Sequence, residues 1–378
     1  MSGSVLKMRC TAALLAATSF ALLVAEEPAI GQTAPQTGAS TPSPSTPAPA
    51  PVQQGPWEKL APFPQASEEL YGIPANGKLY VFGGLAPGWK PKALVFEYDP
   101  AANAWTQKKP MALASHHVAL AEVGGKIYVI GGFVLPSEGP AAWAPIDNAW
   151  EYDPQADSWK ALAPMPTKRG AVAAAAVNGK IYVVGGATMH EGSTETSIHP
   201  ARPHRAVGTV EEYDPATNTW RKMRDMPTAR NHHAVAAVNN KIYAIGGRLG
   251  AGFISVASNT DMVEEFDPAA NTWGTLKVRT PTPRSAVAWG VHNNRIYVAG
   301  GEFQDGRMFA AFRAVEAYEP ATNRWSVMPS MPIPRHGLAG GVVGNRLHLV
   351  SGDVQSAGTG AHVDVDLHDA LRLAGPVQ

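Results

Sequence analysis

Short apolar runs recur along the chain, each opened by a base and closed by a glycine pair. They are Lys78-Leu-Tyr-Val-Phe82, Lys126-Ile-Tyr-Val-Ile130, Lys180-Ile-Tyr-Val-Val184, Lys241-Ile-Tyr-Ala-Ile245 and Arg295-Ile-Tyr-Val-Ala299. Unbroken runs of this length, rich in Val, Ile and Tyr and flanked by turns such as Asn76-Gly77 and Asn178-Gly179, predict buried strands. Before several of them lies a strand of small residues, as at 171–177 and 234–238, where alanine alternates with valine. A second signature follows each glycine pair in five units: Tyr98-Asp-Pro, Tyr152-Asp-Pro, Tyr213-Asp-Pro, Phe266-Asp-Pro and Tyr318-Glu-Pro. Trp105, Trp159, Trp220, Trp273 and Trp325 come a few residues later. The acid can cap a turn whose φ the proline fixes, and the tryptophan can anchor one more strand. With 37 Gly and 33 Pro the composition argues against a long helical protein and for short strands joined by many turns, so the pattern predicts an all-β chain.

The glycine pairs fall at Gly83-Gly84, Gly131-Gly132, Gly185-Gly186, Gly246-Gly247 and Gly300-Gly301, with Ser351-Gly352 in sixth place, at a mean spacing of about 54 residues. Glycine pair, Tyr-Asp-Pro turn and spaced tryptophan together resemble the Kelch repeat, and the resemblance covers roughly residues 57–373. It implies a β-propeller of six blades, each a four-stranded sheet. The small-residue strands would then be innermost, where blades crowd toward the axis. The sixth unit lacks its tryptophan after residues 363–367, and the missing piece stands at the other end: Trp57-Glu-Lys-Leu60 matches Trp159-Lys-Ala-Leu162. The N-terminal strand is therefore expected to complete the last blade, beside the strand near Val365, and to close the ring.

Composition narrows the function classes. With 31 basic and 31 acidic residues the formal charge is zero, which removes the electrostatic footprint of a nucleic-acid binder. The single cysteine, Cys10, excludes a disulfide framework. Residues 1–9 carry Lys7 and Arg9 and no acid, an apolar run spans 10–24, and Ala25 ends it. This reads as a signal peptide over residues 1–25, whose apolar run of about 15 residues is shorter than the roughly 20 needed to span a bilayer. It predicts a periplasmic or secreted protein with no membrane span after cleavage; an uncleaved anchor is the competing reading. Residues 26–56 are Pro, Ala, Ser and Thr with few large apolar side chains, which predicts a disordered tether. Residues 374–378 form a tail.

Counting back sixteen residues from the first position of each pair gives Ser67, Ser115, Arg169, Arg230, Arg284 and Arg335. These should start the innermost strands, on the face where the loops after the glycine pairs also open. In Kelch propellers that face commonly carries ligand contacts. By this register the candidates are Glu68, Glu69, His116, His117, Arg169, Arg230, Asn231, His232, Arg284, Ser285, Arg335 and His336. Phe133, Arg248, Glu302 and Asp353 join them from beyond the pairs. Arginine, histidine and carboxylate converging in one funnel suit an anionic or polyhydroxy ligand. The competing reading of the arginines is structural, since Glu211, Glu264 and Glu316 precede the turns as Kelch acids do and can pair with Arg169, Arg230 and Arg284.

Glu191, Glu195 and His199, in the long insertion after Gly186, resemble the iron-binding Glu-x3-Asp-x3-His of nitrile-specifier Kelch proteins, with Glu in place of the Asp. Common loop composition accounts for that spacing, so neither metal nor cofactor is expected. The expectation is a monomeric binding module for a protein, glycan or small anionic or polyhydroxy ligand. The alternative is a carbohydrate-active enzyme resembling the Kelch mutarotase that acts on N-acetylneuraminate. Copper-radical oxidase chemistry needs a cysteine cross-linked to tyrosine, which the mature chain lacks.

Overall fold

The computed structural model describes residues 52–54, 56–88, 90–136, 143–189, 204–250, 258–305, 308–356 and 362–373. The leader and most of the tether, the C-terminal tail, and Glu191, Glu195 and His199 lie outside them. All regular elements among the described residues are strands, and they form a six-bladed propeller. The innermost strands are Leu70–Ala75, Ala119–Val123, Ala173–Val177, Ala234–Val238, Ala288–His292 and Ala339–Val343. Each packs against its counterparts in both neighbouring blades, and the first meets the last, so the circle closes. Five blades are antiparallel four-stranded sheets read outward in chain order.

The sixth is a composite. Its strands run Ala339–Val343, Arg346–Val350, His368–Arg372, then Trp57–Lys59 from the N-terminal side, with Val52–Gln54 added outermost. Trp57 pairs with Leu371, as Trp105 pairs with Tyr98 in blade one, so the N-terminal strand completes the blade as expected. Its partner strand, however, begins at His368 rather than near Val365. Residues 363–367 are held in the loop instead: Val363 donates its N–H to Asp353, Val365 donates to the Gly352 carbonyl, and Ser351 Oγ donates to Val365. The blade also reaches three residues into the stretch read as tether.

Close approach explains the small inner residues. A Cβ on Gly72 would lie 2.5 Å from the Gly340 carbonyl oxygen of the next blade, so a larger residue would force the strands apart. Between blades the core is continuous: Tyr182, Val184 and Val210 of blade three pack on Val235, Ile242 and Phe266 of blade four. Each such side chain contributes about 1.5–3 kcal/mol on burial.

A polar clamp repeats at five of the six blade junctions. In blade three, Trp220 Nε1 donates to the Ala163 carbonyl at 2.8 Å, Asn218 Oδ1 accepts the Ala163 N–H at 2.8 Å, and Tyr213 Oη donates to the same Asn218 oxygen. Trp105, Trp159, Trp273 and Trp325 do the same to Ala61, Lys109, Arg224 and Val278. Between blades five and six, where the tryptophan stands on the N-terminal strand, the clamp is missing. Trp57 Nε1 is buried without a hydrogen bond, and the residue in the receiving position is Pro329, which has no N–H to orphan.

Candidate functional site

One face of the ring is built from two short segments per blade: the residues just before the innermost strand and those just after the glycine pair. They meet through single antiparallel bridges, His116 with Phe133, Gly170 with Ala187, Asn231 with Arg248, Ser285 with Glu302 and His336 with Asp353. The next residue in each blade is left-handed: Glu69, His117, Ala171, His232 and Ala286 have φ between 50° and 56°, and Gly337 has 58°. That conformation is unfavourable for residues with a Cβ. It is held by a belt of backbone bonds from blade to blade. Ala171 N–H donates to His117, His232 to Ala171, Ala286 to His232, Gly337 to Ala286 and Leu70 to Gly337, at 2.9–3.1 Å. The belt separates two environments. Beneath it runs an apolar central channel of ≈ 360 Å³ lined by residues such as Leu120, Ala173, Ala236, Trp289 and Val342. Above it lies a polar mouth.

The mouth is a connected network. Glu69 Oε2 accepts from Tyr71 Oη at 3.1 Å and lies 3.1 Å from His117 Nε2. His117 Nδ1 is 2.5 Å from His116 Nδ1. His232 Nδ1 meets Asn231 Oδ1 at 2.5 Å. Arg248 pairs with Glu302 and donates from Nε to Ser285 Oγ at 3.0 Å, while Gln304 and Ser356 each donate to Glu302 Oε2 at 2.8 Å. His336 Nε2 stands 3.6 Å from Glu68 Oε2 and 3.7 Å from Glu302 Oε2. His362 Nδ1 is 2.9 Å from Glu68 Oε1 and 3.5 Å from Asp353 Oδ2. Aromatic rings wall the opposite side: Trp143 lies 4.6 Å from His117, and Phe133 stacks on His204 at 4.9 Å. Gly170 makes room for that wall, since a Cβ there would sit 2.5 Å from the Phe133 ring.

Burial sets the protonation. It drives His116 and His232 well below the usual imidazole range, with His117 adding to the first and Arg248 to the second. It pushes the Glu69 and Glu302 carboxyls upward, but His117 and His336 respectively, with Arg248, outweigh it and hold both acids low. Burial lowers His336 too, yet Glu302, Glu68, Glu69 and Asp353 outweigh it and raise that group. The Glu68 hydrogen bond lifts His362 to about 9. Burial, then Glu68 and Asp353, push Asp364 up to about 6. The mouth therefore holds neutral imidazoles on one side and a charged cluster on the other.

Residues 53–251, more than half the chain, match the family described as the Attractin/LZTR1 beta-propeller, and residues 192–352 match the KLHDC2/KLHL20/DRC7 Kelch-repeats domain. The chain belongs to the Kelch-repeat β-propellers. Kelch-like protein terF of Aspergillus terreus is 30% identical over 292 residues, 75% of this chain and 60% of that protein. Human Kelch-like protein 23 is 26% identical over 281 residues, 73% of this chain and 44% of that one. The chain thus spans 60% or less of these relatives' length. The solved structure entitled "Structure of YjhT" matches with a TM-score of 0.66 over 82% of this chain and 95% of that one; at 18% identity it shows the fold alone.

Within this Kelch propeller the candidates divide. Glu68, Glu69, His116, His117, Asn231, His232, Arg248, Glu302, His336 and Asp353 gather in the mouth, all of them buried. Arg169, Arg230, Arg284 and Arg335 do not join them. Their guanidinium groups turn into their own blades, pairing with Glu211, Glu264, Glu316 and Asp369 and donating to strand carbonyls such as Val183 and Ala244. Sequence reasoning did not single out Tyr71, Gln304, Ser356 or His362. Tyr71 lies inside a strand, and the other three come from irregular or terminal positions where the repeat register ends.

Proposed function

We propose that this Kelch propeller is an exported binding module that takes a small polyhydroxy or acidic ligand in the polar mouth. The carrying observation is that His116 Nε2 and His232 Nε2 are buried with no hydrogen-bond partner. Unsatisfied buried polar atoms cost about 1–3 kcal/mol each, and a hydroxyl or carboxylate would relieve that cost. Depth supports a small ligand over a flat protein surface, because both imidazoles are at most 7% exposed. The charged cluster and the Phe133–Trp143 wall offer polar contacts and an apolar face, as sugar-binding requires. The basic start and apolar run of residues 1–25 support export. Saturation-transfer NMR with sugar acids and neutral sugars tests the reading. Binding lost in His232→Ala supports it; no binding by any of them, or full binding by that variant, refutes it.

A second reading rests on the Glu69–His117–His116 chain, whose 3.1 and 2.5 Å contacts form a path along which a proton can move. It is a sugar-acid mutarotase or epimerase. Anomer exchange accelerated by the protein and abolished by Glu69→Gln would favour it, whereas binding without exchange favours the module.

A further inference from the structure

The part of the mouth least explained by its own contacts is His336. Its side chain is fully buried, and neither ring nitrogen makes a hydrogen bond. Nε2 is aimed between carboxylates, 3.6 Å from Glu68 Oε2 and 3.7 Å from Glu302 Oε2, beyond hydrogen-bond reach of both. Ligand atoms of Glu68, Glu69 and His336 all lie within 4.8 Å of one another. Donors that share one divalent ion at about 2.0–2.2 Å are themselves separated by roughly 3–3.5 Å, so a small contraction brings this set to coordination distance.

We propose that Glu68, Glu69 and His336 bind a divalent transition-metal ion, with zinc the best fit. An imidazole beside two carboxylates suits zinc better than calcium, which seeks six to eight oxygens. The outer contacts fit a metal site. His362 holds Glu68 through the oxygen turned away from His336, and Tyr71 holds Glu69. Such hydrogen bonds fix ligand orientation. The belt pins the segment carrying two ligands against the one carrying the third, since Leu70 N–H donates to the Gly337 carbonyl. Three protein ligands leave a fourth position open on the mouth side. This assignment does not rest on the ligand reading above, and the ion can bind whether or not a sugar does.

The test uses the full chain, stripped with a chelator and titrated with Zn²⁺ alone, read by calorimetry and by elemental analysis after gel filtration. One equivalent is expected, with a rise in melting temperature, and uptake should fall at least tenfold in His336→Ala and in Glu68→Gln. Near-UV circular dichroism reports whether each variant is folded, and Glu69→Gln serves if one is not. Sub-stoichiometric uptake by the parent overturns the assignment. So does full uptake by folded His336→Ala, or loss in His362→Ala with retention in His336→Ala, which would place the ion at the Glu68–Asp353–His362 group.

Discussion

Two rings of side chains start the same six strands, one residue apart in register, and they behave oppositely. The first is arginine in four blades, and each arginine is consumed inside its own sheet by an acid of the third strand. Where serine replaces it, at Ser67 and Ser115, the acid is replaced as well, by Phe96 and Trp150 at the position of Glu211. Arginine and acid therefore come and go together, as buried ion-pair partners must. The second ring reads Glu68, His116, Gly170, Asn231, Ser285 and His336. No such pairing rule governs it, and its residue type changes from blade to blade; buried nitrogens without a hydrogen bond occur in both rings, at Arg284 Nη1 as at His116 Nε2. What repeats holds the propeller together; what breaks the repeat carries the proposed ligand contacts.

The largest effect should come from attacking the scaffold where it is joined noncovalently. Removing residues 52–60 strips two strands and Trp57 from the last blade and exposes the edge of His368–Arg372. We expect loss of the cooperative melting transition and aggregation, followed by calorimetry and light scattering. A truncated chain that melts like the parent would mean that the latch contributes nothing.

Next is acid sensitivity in that same blade. His348 faces Arg346, Glu58 and the Tyr98 ring; His368 faces His348, Arg335, Tyr98 and Trp105. Burial, then Arg346, pushes His348 down to about 4, and burial, then His348, pushes His368 well below the usual imidazole range. The unfolded chain takes up protons near pH 6.5 while the folded one resists until about 4. Stability is therefore present above that window and lost as pH falls through it, by roughly 3 kcal/mol for His348. Urea unfolding from pH 7 to 4 should show His348→Phe losing less than the parent; equal slopes would contradict this.

The smallest effect separates the clamped junctions from the unclamped one between blades five and six. Trp220→Phe removes an indole hydrogen bond and should cost about 1 kcal/mol more than Trp57→Phe, whose indole N–H has no partner. Equal losses in chemical denaturation would show that the clamp carries no net stability.

Much of this was legible in the repeat. Period, blade count, the small inner strands and the N-terminal completion all follow from motifs that recur, because packing imposes the same demand in every blade. The mouth position of Glu69, His117 and His232 was legible for the same reason. The arginines show the limit: register places a Cα at the rim, but whether the side chain turns inward depends on the acid opposite, and Asp369 was hidden by the misplaced last strand. That strand was misread because residues 363–367 alternate like a strand while Asp353 and Ser351 claim their backbone. His362 and Ser356 belong to no repeat position, so no internal comparison could reveal them.

The most direct test is the difference in unfolding free energy between Arg230→Met and His232→Ala. The first leaves Glu264 buried and unpaired and should cost about 3–5 kcal/mol. The second places alanine where Ala171 and Ala286 already hold the same left-handed backbone, and should cost less than about 1 kcal/mol. A histidine variant as damaged as the arginine variant would mean that the mouth is scaffold too, and would contradict the division on which the functional reading rests.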